Sequence, residues 1–297
     1  MGYNRWSLII FITFFLTQSC KNMSSDILLK GDGISFNPEV GSTYKYEIDE
    51  TKEIVQAIGG SENRVQLTIN SKIGLVYKVS KKINNTYEIL VQFENCIMDS
   101  HSGEETERDF TSQPKNIEAF KGATFSFNLL ADGRVENING YKEFKEKFIA
   151  LKASNIKMSN FGDIPDSSFR EEDFKDIFEK ISNILPSKVV FVNSSWLSKD
   201  SLEIGESHSL NAQHTLDSIS AGIAYIKTVS PIEQTVTALN HSVEMKGEEN
   251  GIIEVEATTG MLMTSSRKSI IAGNLKIGDV DVVVNINRRS VITGKKL

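Results

Sequence analysis

Tyr87-Glu88-Ile89-Leu90-Val91-Gln92-Phe93-Glu94-Asn95-Cys96-Ile97 is the stretch whose reading decides the fold. Tyr87, Ile89, Val91 and Phe93 fall on every second position. A period of two sends successive side chains to opposite faces, so the run predicts a half-buried antiparallel strand. The same parity places Asn95 and Ile97 on the apolar face and Cys96 on the other. No electropositive or histidine-bearing neighbour surrounds Cys96 in sequence, so a small packed residue is expected there rather than a reactive thiol.

Outward from this run the pattern repeats. Tyr44, Tyr46 and Ile48 alternate with polar residues, as do Val65, Leu67 and Ile69, then Phe125, Phe127 and Leu129. Gly59-Gly60, Asn84-Asn85 and Asp132-Gly133 lie between the runs, where hairpins need their turns. The last is the strongest signal, since Asp-Gly suits a turn with positive φ at both central residues.

After Gly140 the period changes. Tyr141, Phe144, Phe148 and Leu151 recur at helical spacing with charged residues between them. A second helix is predicted with Phe174, Ile177, Phe178, Ile181 and Leu185 on one face. Ser168 with Glu171 three residues later has the form of a capping box, and Pro186 marks the expected end because proline cannot continue the hydrogen-bond ladder. Both helices need an apolar surface to cover, and the available one is a sheet face.

From Val189 strands return. Residues 222–226, 252–256 and 280–286 read as strands, divided by Glu249-Asn250-Gly251, Thr258-Thr259-Gly260 and Gly278. Tyr77 to Phe93 echoes Thr215 to Val229, and Gly122 to Val135 echoes Gly251 to Leu262. The expected fold is α+β and mainly β: curved antiparallel sheets, with an unclosed barrel as one form of them, and two amphipathic helices in the middle packed on a sheet face. The expected organisation is a signal peptide over 1–19, a flexible tether over 20–42, a first β module over 43–139, a helical connector over 140–188 and a second, related β module over 189–297.

The start of the chain speaks to location. Arg5 precedes the apolar run Leu8 to Leu16, and Thr17-Gln18-Ser19-Cys20 follows. A charged n-region, an apolar core of roughly 7–15 residues and a small residue before the cut make an export signal. The run is too short to span a bilayer, which needs about 20 apolar residues. The segment resembles a relaxed bacterial lipobox of the Bacteroidetes type, with Leu16 one place earlier than the usual leucine; that resemblance implies acylation of Cys20. Membrane lipid is then a partner through the acyl anchor, and the expected home is the cell envelope, with the outer membrane favoured and its periplasmic or surface face open. The rival expectation is an ordinary secreted protein cut near Ser19.

Removing residues 1–19 deletes one base, Arg5, and no acid, taking the formal charge from −6 to −7. An acidic chain argues against nucleic acid, whose binding depends on clustered Lys and Arg. With Cys20 acylated, Cys96 stands alone, which excludes a disulfide framework.

Several short motifs resemble an uncharacterised Bacteroidetes-type lipoprotein family, domain of unknown function 6263. They are Gly41 to Tyr46 with its Tyr-x-Tyr, the Asp132-Gly133 turn after an aromatic strand, Leu185-Pro186 ahead of Trp196, the Tyr-bearing Ala221 to Ile226, and Gly251 through Thr259-Gly260. Where that pattern has Gly-Asp before the tryptophan, this chain has Asn193-Ser194-Ser195. The resemblance implies no activity and no catalytic residue.

Motifs for chemistry are sparse. His101, His208, His214 and His241 show neither H-x-x-x-H nor H-E-x-x-H spacing, so no metal site is expected. Gly205-Glu206-Ser207-His208-Ser209 lacks the second glycine and the strand-to-helix setting of a nucleophile elbow. The acids Asp163, Asp166, Glu171, Glu172, Asp173 and Asp176 suit the positive end of a helix dipole better than a calcium loop. Gly31-Asp32-Gly33 has no strand before it and no helix after it, as a phosphate loop would require. No catalytic, cofactor or metal residue is expected, and the chain is read as a non-enzyme. The favoured function is an envelope lipoprotein that binds an apolar or amphiphilic ligand, or an envelope protein; the alternatives are a structural lipoprotein with a closed core, and a hydrolase.

Overall fold

A computed structural model describes residues 33–59, 64–104, 110–111, 115–153, 169–201, 209–238, 241–277 and 280–297. The signal segment, Cys20, Asp163, Asp166, Ser168 and residues 205–208 lie outside them. The strands β1 (Gly33–Ile34), β2 (Thr43–Ile58), β3 (Arg64–Ile83), β4 (Thr86–Glu104), β5 (Phe110–Thr111), β6 (Lys115–Asn116), β7 (Thr124–Leu129) and β8 (Val135–Asn139) come first. Helices α1 (Tyr141–Ala153) and α2 (Glu171–Ser182) follow. The second strand series is β9 (Val190–Phe191), β10 (Ser195–Ser201), β11 (Ser209–Ser220), β12 (Ile223–Ala238), β13 (His241–Glu256), β14 (Leu262–Ile277) and β15 (Val280–Lys296).

The fold is mainly β, with a large curved antiparallel sheet that does not close into a barrel. Its strand order is β10-β11-β12-β13-β14-β15-β2-β3-β4-β7-β8, with β5 and β6 on β4. The segments 43–139 and 189–297 therefore share one sheet, joined where β15 pairs β2 from Val282↔Ile58 to Lys296↔Tyr44. Strands β8 and β10 occupy opposite edges of the order, and the chain between them contains both helices. That path carries the helices across the inner face.

Aromatic rings fill the space between. Phe125 stacks on Phe174 at 4.7 Å and Phe127 on Phe178 at 4.7 Å, tying α2 to β7. Phe144 of α1 meets Phe174 at 4.8 Å and Phe120 at 4.9 Å. Each such ring contributes on the order of 1.5–3 kcal/mol by leaving water. Trp196 closes the far side, its Nε1 donating to the Ile184 carbonyl at 2.8 Å.

Four sequence expectations need correction. Glu94 and Asn95 form a bulge: Phe93 faces Leu75, Asn95 faces Gly74 and Cys96 faces Ile73. One inserted residue reverses the parity, so Cys96 is buried with Phe93 and the grouping of Cys96 opposite Phe93 fails. Gly74 has no side chain, which leaves room beside it for the Asn95 amide. Residues 34–42, expected as tether, are packed. Ile34 and Phe36 are buried, Phe36 meets Tyr87 edge-on at 5.9 Å, and the Asn37 N–H donates to the Thr259 carbonyl at 2.9 Å. Two large apolar side chains at a spacing of two outweigh the turn residues around them.

Helix α2 is bounded differently at both ends. Its N-cap is Arg170, whose backbone N–H donates to Asp173 Oδ2 at 2.6 Å and whose guanidinium donates to Oδ1 at 3.0 Å. It stops at Ser182, before Pro186, where Ser182 Oγ donates to the carbonyls of Gly133 at 2.8 Å and Phe178 at 3.0 Å. Leu185 is nonetheless buried beyond the helix end.

Candidate functional site

The inner face is apolar at one end, polar across its middle and apolar again at the other. The large aromatic cluster lies under the helices, and a smaller one gathers Ile232, Met245, Ile271, Val282 and Ile286. Between them Ser230, Glu249, Ser269 and Arg288 pair strand to strand in one row, all buried. Arg267 Nη1 lies 3.4 Å from Glu249 Oε1 within this belt.

Where the belt meets the aromatic cluster, a cleft of about 340 Å³ opens between α2 and the sheet. Its floor comes from alternate residues of three strands: Ile48 and Glu50 of β2, Ser71 and Ile73 of β3, Cys96 and Met98 of β4. The bulge in β4 is what turns Cys96 and Met98 toward it. The roof is the start of α2, where Arg170, Asp173, Ile177 and Lys180 recur at the helical interval and Phe174 turns inward. Phe120 and Phe169 complete the apolar wall.

The charges here are arranged in two groups. Arg170 and Asp173 hold each other at the rim. Glu50 sits deeper, its Oε2 2.7 Å from Arg288 Nη2 and 4.0 Å from Lys180 Nζ. Burial pushes the Glu50 carboxyl up, but Lys180 and Arg288 overcome that and hold it below the ordinary glutamate range. The Cys96 thiol has no such help, and burial pushes it up to about 12. It is a thiol at neutral pH, so the cleft contains no activated sulfur nucleophile.

The sequence-derived candidates fall elsewhere or outside the described residues. Cys20 is among the latter. His101 lies 3.6 Å from Asp99 on β4. His214 is fully buried against Trp196 at 5.6 Å, with Nε2 2.7 Å from Ser198 Oγ across β10 and β11. Neither ring lines the cleft. Among the described residues no group of three His, Cys, Asp or Glu converges to hold a metal ion.

Sequence reasoning missed Glu50, Lys180 and Arg288. A signal existed: Glu50 continues the inward parity of Tyr44, Tyr46 and Ile48, and Arg288 continues that of Val282, Val284 and Ile286. A charge at an inward position of a strand demands a partner.

The model of the Family of unknown function (DUF6263) matches residues 80–262. The chain belongs to that family. The DUF6263 span covers β4 through β13 and both helices, hence the roof of the cleft and part of its floor. No curated protein matches the chain. Among solved structures, this DUF6263 chain is similar to lipovitellin, in a structure concerned with its lipid–protein interactions. That likeness has 8% identity and a TM-score of 0.49 over 85% of this chain, which spans only 25% of lipovitellin's length. It is also similar to an outer membrane channel of Pseudomonas putida F1, at 8% identity and a TM-score of 0.20, covering 88% of this chain and 98% of the channel.

Proposed function

We propose that this DUF6263 chain is a bacterial envelope lipoprotein, held to the membrane through acylated Cys20, whose cleft binds an apolar or amphiphilic ligand. The observation that carries the reading is the cleft itself: about 340 Å³ walled by Ile73, Met98, Phe120, Phe169 and Phe174, with charged groups from both roof and floor. A concave, mostly apolar site with a few placed polar groups is the usual form of a small-ligand site. Acylation of Cys20, part of the same reading, would tether the chain to a bilayer, itself a source of amphiphiles. Outer-membrane residence and the absence of enzymatic activity belong to the same proposal.

Expression of residues 22–297 without the anchor, followed by organic extraction and mass spectrometry, tests the ligand. A co-purified apolar compound is expected. Its absence, together with no fluorescence gain from an apolar probe, removes the carrier reading. Palmitate labelling tests the anchor: the wild type is expected to incorporate label and Cys20→Ala to lose it, and an unlabelled wild type would overturn the lipoprotein assignment.

A second reading is favoured by the ring packing between the helices and β7. Those contacts pack Phe144, Phe174 and Phe178 ring on ring with Phe125 and Phe127, as the core of a closed structural protein would. The extraction experiment separates the two.

A further inference from the structure

Lys180 is the least satisfied charge in the cleft. Its side chain is only 13% exposed, its nearest carboxylate is Glu50 at 4.0 Å, and it makes no hydrogen bond among the described residues. Glu50 is engaged more closely by Arg288 at 2.7 Å. An ammonium has three donors, and donors left unmade in a partly dry site cost free energy. Asp173, the other acid lining the cleft, is taken up by Arg170 through both carboxylate oxygens. The open valence of the site is therefore cationic, and it borders an apolar wall.

We propose that the occupant is a free single-chain carboxylic acid, its carboxylate on Lys180 Nζ and its chain along Ile73, Met98, Phe120 and Phe174. This deepens the amphiphile reading of the cleft and rests on it. Charge complementarity selects an acid over an alcohol or a cationic amphiphile. Volume selects one chain: about 340 Å³ lies at the low end of the roughly 300–1,000 Å³ of ligand sites, which suits one acyl tail better than the two of a phospholipid.

The probes are hexadecanoic acid and hexadecanol, each with a photoactivatable diazirine near the chain end, added to the full chain in membranes and mapped by mass spectrometry. The acid is expected to label peptides bearing Met98 or Phe174 about tenfold more than the alcohol, as for a hydrogen bond to a charged group. Lys180→Gln is expected to bring acid labelling down to the alcohol's level, and Lys180→Arg to restore it, with circular dichroism confirming that both variants are folded. Equal labelling of the wild type by acid and alcohol would overturn the headgroup assignment and leave the apolar cleft standing, a comparison that needs no variant. Cleft labelling by neither probe would remove the amphiphile reading and this one with it.

Discussion

Glu50 illustrates how one side chain couples the site to stability. Its carboxyl is held below the ordinary range in the folded chain, so its contribution is fully present above about pH 4.3, where an unfolded glutamate titrates, and is lost as pH falls through the lower folded value. Glu50→Gln is expected to cost about 3 kcal/mol at pH 7, because it removes the carboxylate that faces buried Arg288 and Lys180. Urea titrations at descending pH should show wild type and variant converging in acid; a constant gap would contradict the linkage. Glu179 runs the other way, since burial raises its carboxyl and its contribution fades as pH rises through that raised value. Gly133 is a second sensitive residue. Its φ is +81°, and a Cβ there would fall on the Ser182 carbonyl that ends α2. Gly133→Ala is therefore expected to lose about 2 kcal/mol or more in a denaturant melt. The Asp132-Gly133 turn was legible from its dipeptide, but the helix end pressed against it was not, because nothing local encodes a contact across 49 residues.

At the scale of elements, α2 is held by its rings. Phe178→Ala should destabilise by about 3–5 kcal/mol, while Ile149→Asp on the exposed side of α1 should stay within about 0.5 kcal/mol. Matching melts for the two would mean that α2 does not dock as described. Both helices were legible because their apolar stripes hold a 3.6-residue period. Helix α2's exact ends were not, since a capping interaction chose Arg170 over Ser168's neighbourhood and the chain turned before Pro186 forced it to. The long strand β14 was hidden for a different reason: its inner face is Ser265, Arg267, Ser269, Ile271 and Gly273, too polar to show an alternation. The β4 bulge was equally silent, because an inserted residue is visible only against the partner strand. Parity beyond it, and with it the floor of the cleft, could not be read from one strand alone.

For the whole molecule, the decisive feature is the β15–β2 seam. Residues from Ile34 to Leu297 form one compact unit, so far-ultraviolet circular dichroism and the fluorescence of Trp196 are expected to report one coincident thermal transition. Separate transitions for the two halves would show that the seam is not cooperative. Ile286→Pro in β15 should break it, removing a ladder donor and a buried side chain in an interior strand. The seam joins residues more than 200 positions apart, and sequence patterning alone has no term for that distance. The alternation in strands such as β2, β4 and β7 was plain; the order in which strands meet was not, because a pairing such as β15 with β2 is encoded in no single run.

The sulfur brought inward by the β4 bulge supplies a clock. With its acidity shifted to about 12, roughly one Cys96 in ten thousand is ionised at pH 8, so the native chain should be nearly inert to iodoacetamide. Alkylation would then proceed through transient breathing of β3 and β4, and its speed would read the frequency of those openings. A guest lodged over that sulfur should slow the clock without ever touching it.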